Sequence, residues 1–495
     1  MVYWYYQNLG GFSMKVQVNT QKTLGVYQDP TGWMNSTLRY VPPVDFPAFL
    51  ESRLGKAKIM RAWITLDEYW DYRTGITYPD YDIGVMRYPV EELHYPYDMA
   101  LIVPAPSGTR FVDYLTTHSQ HAQELLLNVR RYEREVSDGI ISFEQYEAVF
   151  EQAVEYCKEL APNIRYIECC NEVDIKAFGL LNAQEYVNIY LIAHKVVKRL
   201  NEKHNYPIPL QLGGFAQAHP IATKPLMDGV MQLLKDSPIG EDPLDFYSYH
   251  MYNAPESRNL VNVGLLEDAE LSGVEKLKKI MAIHEERRIA LGLPEKPVYL
   301  NELGRARATG LDGDCLYNAA GLITYLIAFA KGDLGQLYPF PWCTFHNPDL
   351  QTSFTQYVLR EDGSYAATPN GIAMEMLHGM SGQMVETTVS ATRCPDASYC
   401  AIATEEEGLL QVLAVNETSD SAPCILEISG LEDGQYELQA LRCNLFANNV
   451  VYHKGKGDGT LAVTERLTLT AENGLLSHIE LMDRDCFALL KIRKI

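Results

Sequence analysis

The sequence predicts a (β/α)8 TIM barrel with a C-terminal β-sandwich domain. The first observation is a series of short strand-like runs separated by helical segments, centred near residues 25, 60, 127, 167, 211, 247, 300 and 341. Eight alternating βα units favour a closed barrel over an open doubly wound sheet. The second observation is a change after about residue 382 to short alternating runs separated by Gly, Asn and Asp, which is typical of a sandwich.

The chain length and these patterns predict three parts. Residues 1–22 form an N-terminal segment, in which the alternating stretch Ser13–Val18 is a candidate strand of the sandwich. Residues 23–382 form the barrel, whose first strand covers 23–27, and residues 383–495 form the sandwich. A chain of 495 residues suits one large barrel with a smaller module.

Capping residues and apolar periodicity place the elements. Ser142 with Gln145, and Asn182 with Glu185, are N-capping pairs that open two of the helices. The predicted helices span 46–54, 110–118, 142–160, 182–203, 224–234, 273–291 and 316–330, and the remaining barrel strands span 57–64, 124–129, 164–172, 209–213, 245–250, 298–302 and 337–345. Residues 70–106 are rich in Tyr, Pro and Asp without periodicity, which predicts a long loop of the kind that often binds ligands.

Composition excludes several classes of protein. The 42 basic and 64 acidic residues give a net charge of −22 without a basic cluster, so we expect no nucleic-acid partner. The 47% of hydrophobic residues is ample for a core, which excludes a disordered chain. An acidic surface of this kind mainly favours solubility.

Targeting signals and metal motifs are not found in the sequence. Residues 1–11 lack a basic-then-apolar signal pattern, and the longest apolar run, 319–330, is too short to span a bilayer. We therefore expect a cytoplasmic protein without a membrane partner. The ten cysteines include no CxxC pair, so we expect no metal site and mostly reduced thiols. A disulfide between Cys394 and Cys400 is the alternative if the protein is exported.

Two segments of the predicted barrel end in glutamate. Ile164–Glu172 and Lys296–Gly304 are short β-branched and aromatic runs that deliver Glu172 and Glu302 to the C-terminal tips of strands four and seven. These tips form the catalytic face of such a barrel. One glutamate there is usually part of an ion pair, but two on different strands favour catalysis. Paired carboxylates are what cleavage of a glycosidic bond requires, one as proton donor and one as nucleophile or base.

Several neighbouring residues fit this chemistry. Asn171 can donate to a sugar hydroxyl beside the reacting carbon, which favours Glu172 as the acid/base. Glu168 lies deeper in the same strand, where we expect a hydrogen-bonded barrel residue. Trp342 ends the eighth strand and can form the floor under a sugar ring, ordinary core packing being the alternative. Asn128, at the end of the third strand, is a weaker candidate for substrate binding.

This arrangement resembles clan A of the retaining glycoside hydrolases, in which an Asn-Glu pair ends strand four and a Glu ends strand seven. Within the clan it is most similar to glycoside hydrolase family 39, the β-xylosidase and α-iduronidase family, over about residues 45–385. The similarity is densest in Asn163–Glu168, Asn171–Glu172, Asp245–His250 and Val298–Gly304. The chain departs from the clan at Cys170, where an aromatic residue is usual, and at Val173, where a proline is usual. The lost aromatic residue removes bulk beside the acid/base, so the resemblance alone does not fix the sugar preference.

The resemblance implies roles for individual residues. Glu172 would be the acid/base and Glu302 the nucleophile. Arg61, inside the second strand, occupies the place of an arginine that supports the nucleophile, and a cation there would keep Glu302 ionised. A structural salt bridge is compatible with that role. His250 and Tyr252 end the sixth strand, a region that contacts the substrate or the nucleophile in the clan.

Together these features predict a retaining glycoside hydrolase that uses two glutamates in a double displacement. The expected substrate is a β-linked oligosaccharide or glycoside, with a β-xyloside first. An arabinosidase, glucosidase or galactosidase on the same scaffold is the alternative within the enzyme class, and a non-catalytic carbohydrate-binding protein is the alternative outside it. No cofactor is expected, because two carboxylates supply the chemistry. The oligomeric state is open, and a homo-oligomer is compatible with the sequence.

Overall fold

The structure is a computed structural model that contains two large sheets. It describes residues 13–36, 45–84, 109–239, 244–252, 273–305, 311–345, 354–392, 399–418, 420–451 and 459–495. One sheet has eight parallel strands, and the other has nine strands that are mostly antiparallel. The predicted barrel-plus-sandwich fold class is confirmed.

The eight parallel strands follow one another around the barrel in chain order. They are Trp33–Asn35, Ala57–Thr65, Ala122–Arg130, Ile164–Cys169, Gln211–Gln217, Phe246–Tyr252, Val298–Gly304 and Leu337–Pro341. Asn35 joins the first strand to the last, because its Nδ2 donates to the carbonyl oxygens of Phe340 and Pro341 at 3.1 and 3.3 Å. This side chain helps to close the barrel where backbone pairing ends.

Helices cover the outside of the barrel. In the described part of the chain they span Phe46–Leu54, Leu66–Tyr69, Phe111–Gln120, Glu133–Ser137, Phe143–Leu160, Ala183–His204, Lys224–Lys235, Gly273–Leu291, Leu311–Ala330 and Pro369–His378. The capping boxes predicted at Ser142 and Asn182 are both present. Among the described residues, no helix combines the length and the apolar character needed to cross a membrane.

The second sheet forms the sandwich and contains the N-terminal strand. Its strands are Ser13–Val26, Gln383–Thr392, Tyr399–Glu406, Leu409–Asn416, Ala422–Ser429, Gly434–Cys443, Glu465–Ala471, Leu475–Met482 and Cys486–Lys494. Ser13–Val26 lies between Gln383–Thr392, to which it is antiparallel, and Ala422–Ser429, to which it is parallel. Ile402, Leu413 and Leu489 belong to the same buried core as the barrel helices, so the sandwich packs directly on the barrel.

The first barrel strand is a correction to the sequence analysis. The predicted strand over 23–27 is instead the end of Ser13–Val26, in which Thr23 pairs with Val385. The strand continues through an irregular, exposed stretch after Asn19 that resembles a turn in sequence. The true first strand, Trp33–Asn35, has three residues, too few to show a period. The division into 1–22, 23–382 and 383–495 remains a proposal.

Smaller differences concern the ends of elements. The eighth strand ends at Pro341 instead of 345, and the fifth covers Gln211–Gln217 instead of 209–213. Of the predicted loop over 70–106, the described part contains a short hairpin of Trp70–Asp71 with Ile76–Thr77, and the rest lies outside the described residues. Cys394 also lies outside them, while the nine described cysteines are free thiols.

Candidate active site

Glu172 and Glu302 meet at the C-terminal end of the barrel. Glu302 lies within the seventh strand, and Glu172 follows the fourth strand by three residues. A carboxylate oxygen of each and a ring nitrogen of His250 all lie within 4.8 Å of one another. The side chain of Glu302 is 8% exposed and that of Glu172 is 12% exposed, so both are largely shielded from water.

Two side chains of the sixth strand connect the carboxylates. His250 Nδ1 is 2.7 Å from Glu172 Oε1 and 3.5 Å from Glu302 Oε2. Tyr252 donates its hydroxyl proton to Glu302 Oε2 at 2.7 Å. The structure thus brings His250 and Tyr252, both selected from the sequence, into direct contact with the two glutamates.

Arg61 lies beneath the site and is completely buried. Its Nη1 donates to Glu302 Oε1 at 2.9 Å, and its Nη2 donates to Asn171 Oδ1 at 2.8 Å. Nε and Nη2 also donate to Glu168 Oε2 at 2.9 and 2.7 Å, so Glu168 is a hydrogen-bonded barrel residue, as expected. Because Glu168 and Glu302 both compensate the buried charge of Arg61, losing both would leave that charge unpaired at a cost of about 3 to 5 kcal/mol.

Two asparagines complete this buried network. Asn128 donates to Glu168 Oε2 and to the Cys170 carbonyl, both at 2.7 Å. It therefore supports the turn that carries Glu172. Asn301 donates to Glu168 Oε1 and was missed by sequence analysis, since strict alternation places it on the face opposite Glu302. A register irregularity between Leu300 and Glu302 breaks that alternation.

Aromatic side chains surround the same end of the barrel. Trp342 and Trp63 are almost perpendicular, with ring centroids 5.8 Å apart and an interplanar angle of 86°. Tyr252 packs on Phe354 with centroids 5.2 Å apart. These four residues form one cluster with Cys343, in which Tyr252 contacts Glu302 and Trp342 is mostly buried.

The surroundings move the pKa values of the two glutamates in opposite directions. Burial raises the pKa of Glu172, and the Glu302 charge raises it further against the opposing His250 hydrogen bond. Burial also acts to raise the pKa of Glu302, but the His250 and Arg61 charges and the Tyr252 hydrogen bond outweigh it, so that pKa is lowered. For His250, burial is outweighed by Glu302 and Glu172, and its pKa is raised. The surroundings therefore favour a proton on Glu172 over a proton on Glu302.

The two carboxylates and His250 are also residue types that bind metal ions. Glu172, His250 and Glu302 each present one suitable donor atom. However, Glu302 already forms an ion pair with Arg61, and His250 is hydrogen-bonded to Glu172. A metal cation there would lie close to the Arg61 guanidinium and be repelled by it, so the arrangement does not favour a metal ion.

A second group of buried carboxylates follows the third strand, in the short helix Glu133–Ser137. Glu133 accepts a hydrogen bond from the Arg131 backbone at 2.8 Å, whereas neither carboxylate oxygen of Glu135 has a partner among the described residues. Burial raises the pKa of each to about 7. A buried carboxyl group of this kind destabilises the folded state once it is ionised.

Replacing Glu135 by glutamine should therefore make stability less sensitive to pH. A raised pKa in the folded state gives stability that is fully present below the unfolded value, near 4.5, and is lost as pH rises through about 7. Since glutamine stays neutral, the variant should gain about 1 to 3 kcal/mol relative to the parent between pH 5 and pH 8. Urea unfolding at both pH values measures this, with the exposed Glu159→Gln as the control. If the difference in unfolding free energy between variant and parent is the same at both pH values, the prediction is contradicted.

Comparison with known proteins identifies the fold. No protein-family model matches the chain, and no curated protein matches it. A glucosidase from Croceicoccus marinus is 14% identical, with a TM-score of 0.61 and coverage of 98% of this chain and 99% of its own. The GH39 enzyme from Xanthomonas axonopodis pv. citri is 15% identical, with a TM-score of 0.61 and coverage of 97% of each chain. A monomeric beta-xylosidase from Caulobacter crescentus CB15 is 12% identical, with a TM-score of 0.61 and coverage of 97% and 99%. The likeness establishes a shared fold over the length of the chain.

Proposed function

We propose that this protein is a retaining glycoside hydrolase of clan A, most similar to family 39. One observation carries the proposal: one oxygen of Glu172 and one of Glu302 lie within 4.8 Å of each other, in two shielded carboxylates whose pKa values are driven apart. Retaining enzymes place these groups about 5 to 5.5 Å apart, whereas inverting enzymes leave about 6.5 to 9.5 Å for a water molecule. The short separation supports retention.

The reaction follows from the two protonation states. In the first step, the ionised Glu302 attacks the anomeric carbon while Glu172 donates its proton to the departing glycosidic oxygen. The bond to that oxygen breaks, and an ester between the sugar and Glu302 forms. In the second step, Glu172, now ionised, takes a proton from water, whose oxygen attacks the anomeric carbon. The ester breaks, Glu302 is released as a carboxylate, and the product has the original configuration.

The remaining residues prepare these steps. Arg61 and Tyr252 each hold one oxygen of Glu302, which keeps the nucleophile charged and fixes its orientation. His250 orients Glu172 through the hydrogen bond at its Nδ1. Asn171 accepts from Arg61 through its Oδ1, which leaves its amide group to donate to a sugar hydroxyl. Trp342 would provide the apolar surface under the ring.

The proposed substrate is a β-linked oligosaccharide or glycoside, with a β-xyloside first. The beta-xylosidase among the structures of this fold supports that order, and the glucosidase makes a β-glucoside the second choice. Arabinosidase and galactosidase activities are further alternatives. A protein that only binds carbohydrate would gain nothing from holding one carboxylate protonated and its neighbour ionised. The charge arrangement therefore favours catalysis.

A panel of aryl glycosides tests both the activity and the stereochemistry. The purified protein is expected to release nitrophenol from a β-glycoside, with β-xyloside the fastest. Proton NMR of the first turnover products should show the β-anomer, which then mutarotates. Hydrolysis of none of the panel would contradict the activity, and an α-anomer as first product would contradict the retaining mechanism.

A further inference from the structure

Two loops at the catalytic end are joined by the carboxylate of Asp174. This residue lies two positions after Glu172 and is 7% exposed. Its Oδ1 accepts from the Ala218 backbone at 2.8 Å, and its Oδ2 accepts from the His219 backbone and from Thr223 Oγ1, both at 2.9 Å. One side chain after the fourth strand therefore ties down the start of the loop after the fifth.

Glu172 depends on the same region for its own conformation. Its φ angle is +47°, in the left-handed region that residues with a side chain rarely adopt. Such a conformation is unfavourable for a residue with a side chain and persists only where the surroundings impose it. The Glu172 amide donates to the Ala216 carbonyl at 2.8 Å, and Ala216 itself has a φ of +49°. The acid/base is thus held against a segment that Asp174 fixes two residues further on.

We propose that Asp174 is a positioning residue for Glu172: by locking the two loops together it holds the acid/base against His250 and the leaving group. The inference rests on the proposed function. It assigns Asp174 no contact with the substrate, because its carboxylate oxygens already accept three hydrogen bonds from the loop. Its effect must therefore pass through Glu172.

A positioning role predicts a dependence on the leaving group. Proton donation matters for a poor leaving group and hardly at all for an activated one. Asp174→Ala should lower kcat/KM for an alkyl or methoxyphenyl glycoside by about 10- to 100-fold, and for the dinitrophenyl glycoside of the same sugar by less than about 3-fold. Asp174→Asn keeps one acceptor oxygen, so the falls in kcat/KM for the two glycosides should differ by less. Thr223→Val removes one of the three hydrogen bonds to Asp174, together with the contacts of the same hydroxyl with Gln217 and His219, and should change the ratio of the two kcat/KM values in the same direction.

Asp29 provides a matched control. Its carboxylate also bonds with a nearby backbone amide, a hydroxyl group and a histidine, through Thr31 N, Thr31 Oγ1 and His378 Nδ1. It precedes the first barrel strand, at the opposite end from the glutamates. Asp29→Asn should leave the ratio of the two kcat/KM values unchanged, even if thermal unfolding shows a loss of stability.

The outcomes separate the inference from the function beneath it. The positioning role is overturned if kcat/KM falls equally for both substrates in either Asp174 variant or in Thr223→Val. Asp174 would then have an ordinary structural role. If Asp174→Ala fails to fold, Asp174→Asn and Thr223→Val decide the question by the same ratio. If the parent protein hydrolyses neither glycoside, the proposed function itself is wrong.

Discussion

Glu302→Ala is expected to lower kcat/KM by on the order of 10⁴-fold or more on every glycoside that the parent hydrolyses. The variant has no group to attack the anomeric carbon, and a better leaving group cannot supply one. The loss should therefore be equal for activated and unactivated substrates. Arg61 remains paired with Glu168 in the variant, so the buried guanidinium keeps a counter-charge. Steady-state kinetics on both kinds of glycoside measure the loss.

Azide gives this prediction a stereochemical control. In Glu302→Ala, azide can enter the space that the carboxylate leaves and displace the aglycone in one step. The product should then be the glycosyl azide of inverted configuration, and the original configuration should not be restored. Thermal unfolding confirms that the variant is folded. More than about 1% residual activity, or rescue with retention, would contradict the assignment of Glu302 as the nucleophile.

Glu172→Ala is expected to produce a different pattern. Loss of the proton donor should slow substrates with poor leaving groups by about 10²- to 10⁴-fold. A dinitrophenyl glycoside needs little proton assistance, so formation of its glycosyl-enzyme should be nearly as fast as in the parent. A plot of log kcat/KM against the pKa of the leaving group measures the difference. A similar slope in parent and variant would leave the assignment of the acid/base unsupported.

The pH profile tests the same assignment independently. Activity requires an ionised Glu302, whose pKa is lowered, and a protonated Glu172, whose pKa is raised. The parent profile should be bell-shaped, with the acidic limb from Glu302 and the basic limb from Glu172. Glu172→Gln should lose the basic limb when the dinitrophenyl glycoside is used. A basic limb that survives in this variant would mean that another group supplies the proton.

Much of the barrel was predictable because its evidence is local. Periodicity and capping residues placed most strands and helices, and two strand-end glutamates with Arg61, His250 and Tyr252 pointed to one end of the barrel. The prediction of the first barrel strand was wrong, because a strand of three residues is too short to show a period in its apolar pattern. The strand that precedes it belongs to the other sheet.

What the sequence could not reveal depends on non-local geometry. Asn301 enters the buried network through a register irregularity that leaves no trace in the apolar pattern. Asp174 gains its importance from three groups that lie more than forty positions later in the chain. A single sequence holds no sign of either arrangement.

The position of Ser13–Val26 between two strands of the C-terminal sheet also determines when the protein can finish folding. This strand is made before the barrel, but its neighbours Gln383–Thr392 and Ala422–Ser429 are made after the barrel. The barrel can close in the meantime, while the early strand keeps unpaired edges that invite wrong partners. A C-terminal fragment made alone would lack this strand and expose two edges of its own. Completion of the sandwich therefore has to wait until the strands that follow the barrel have been made.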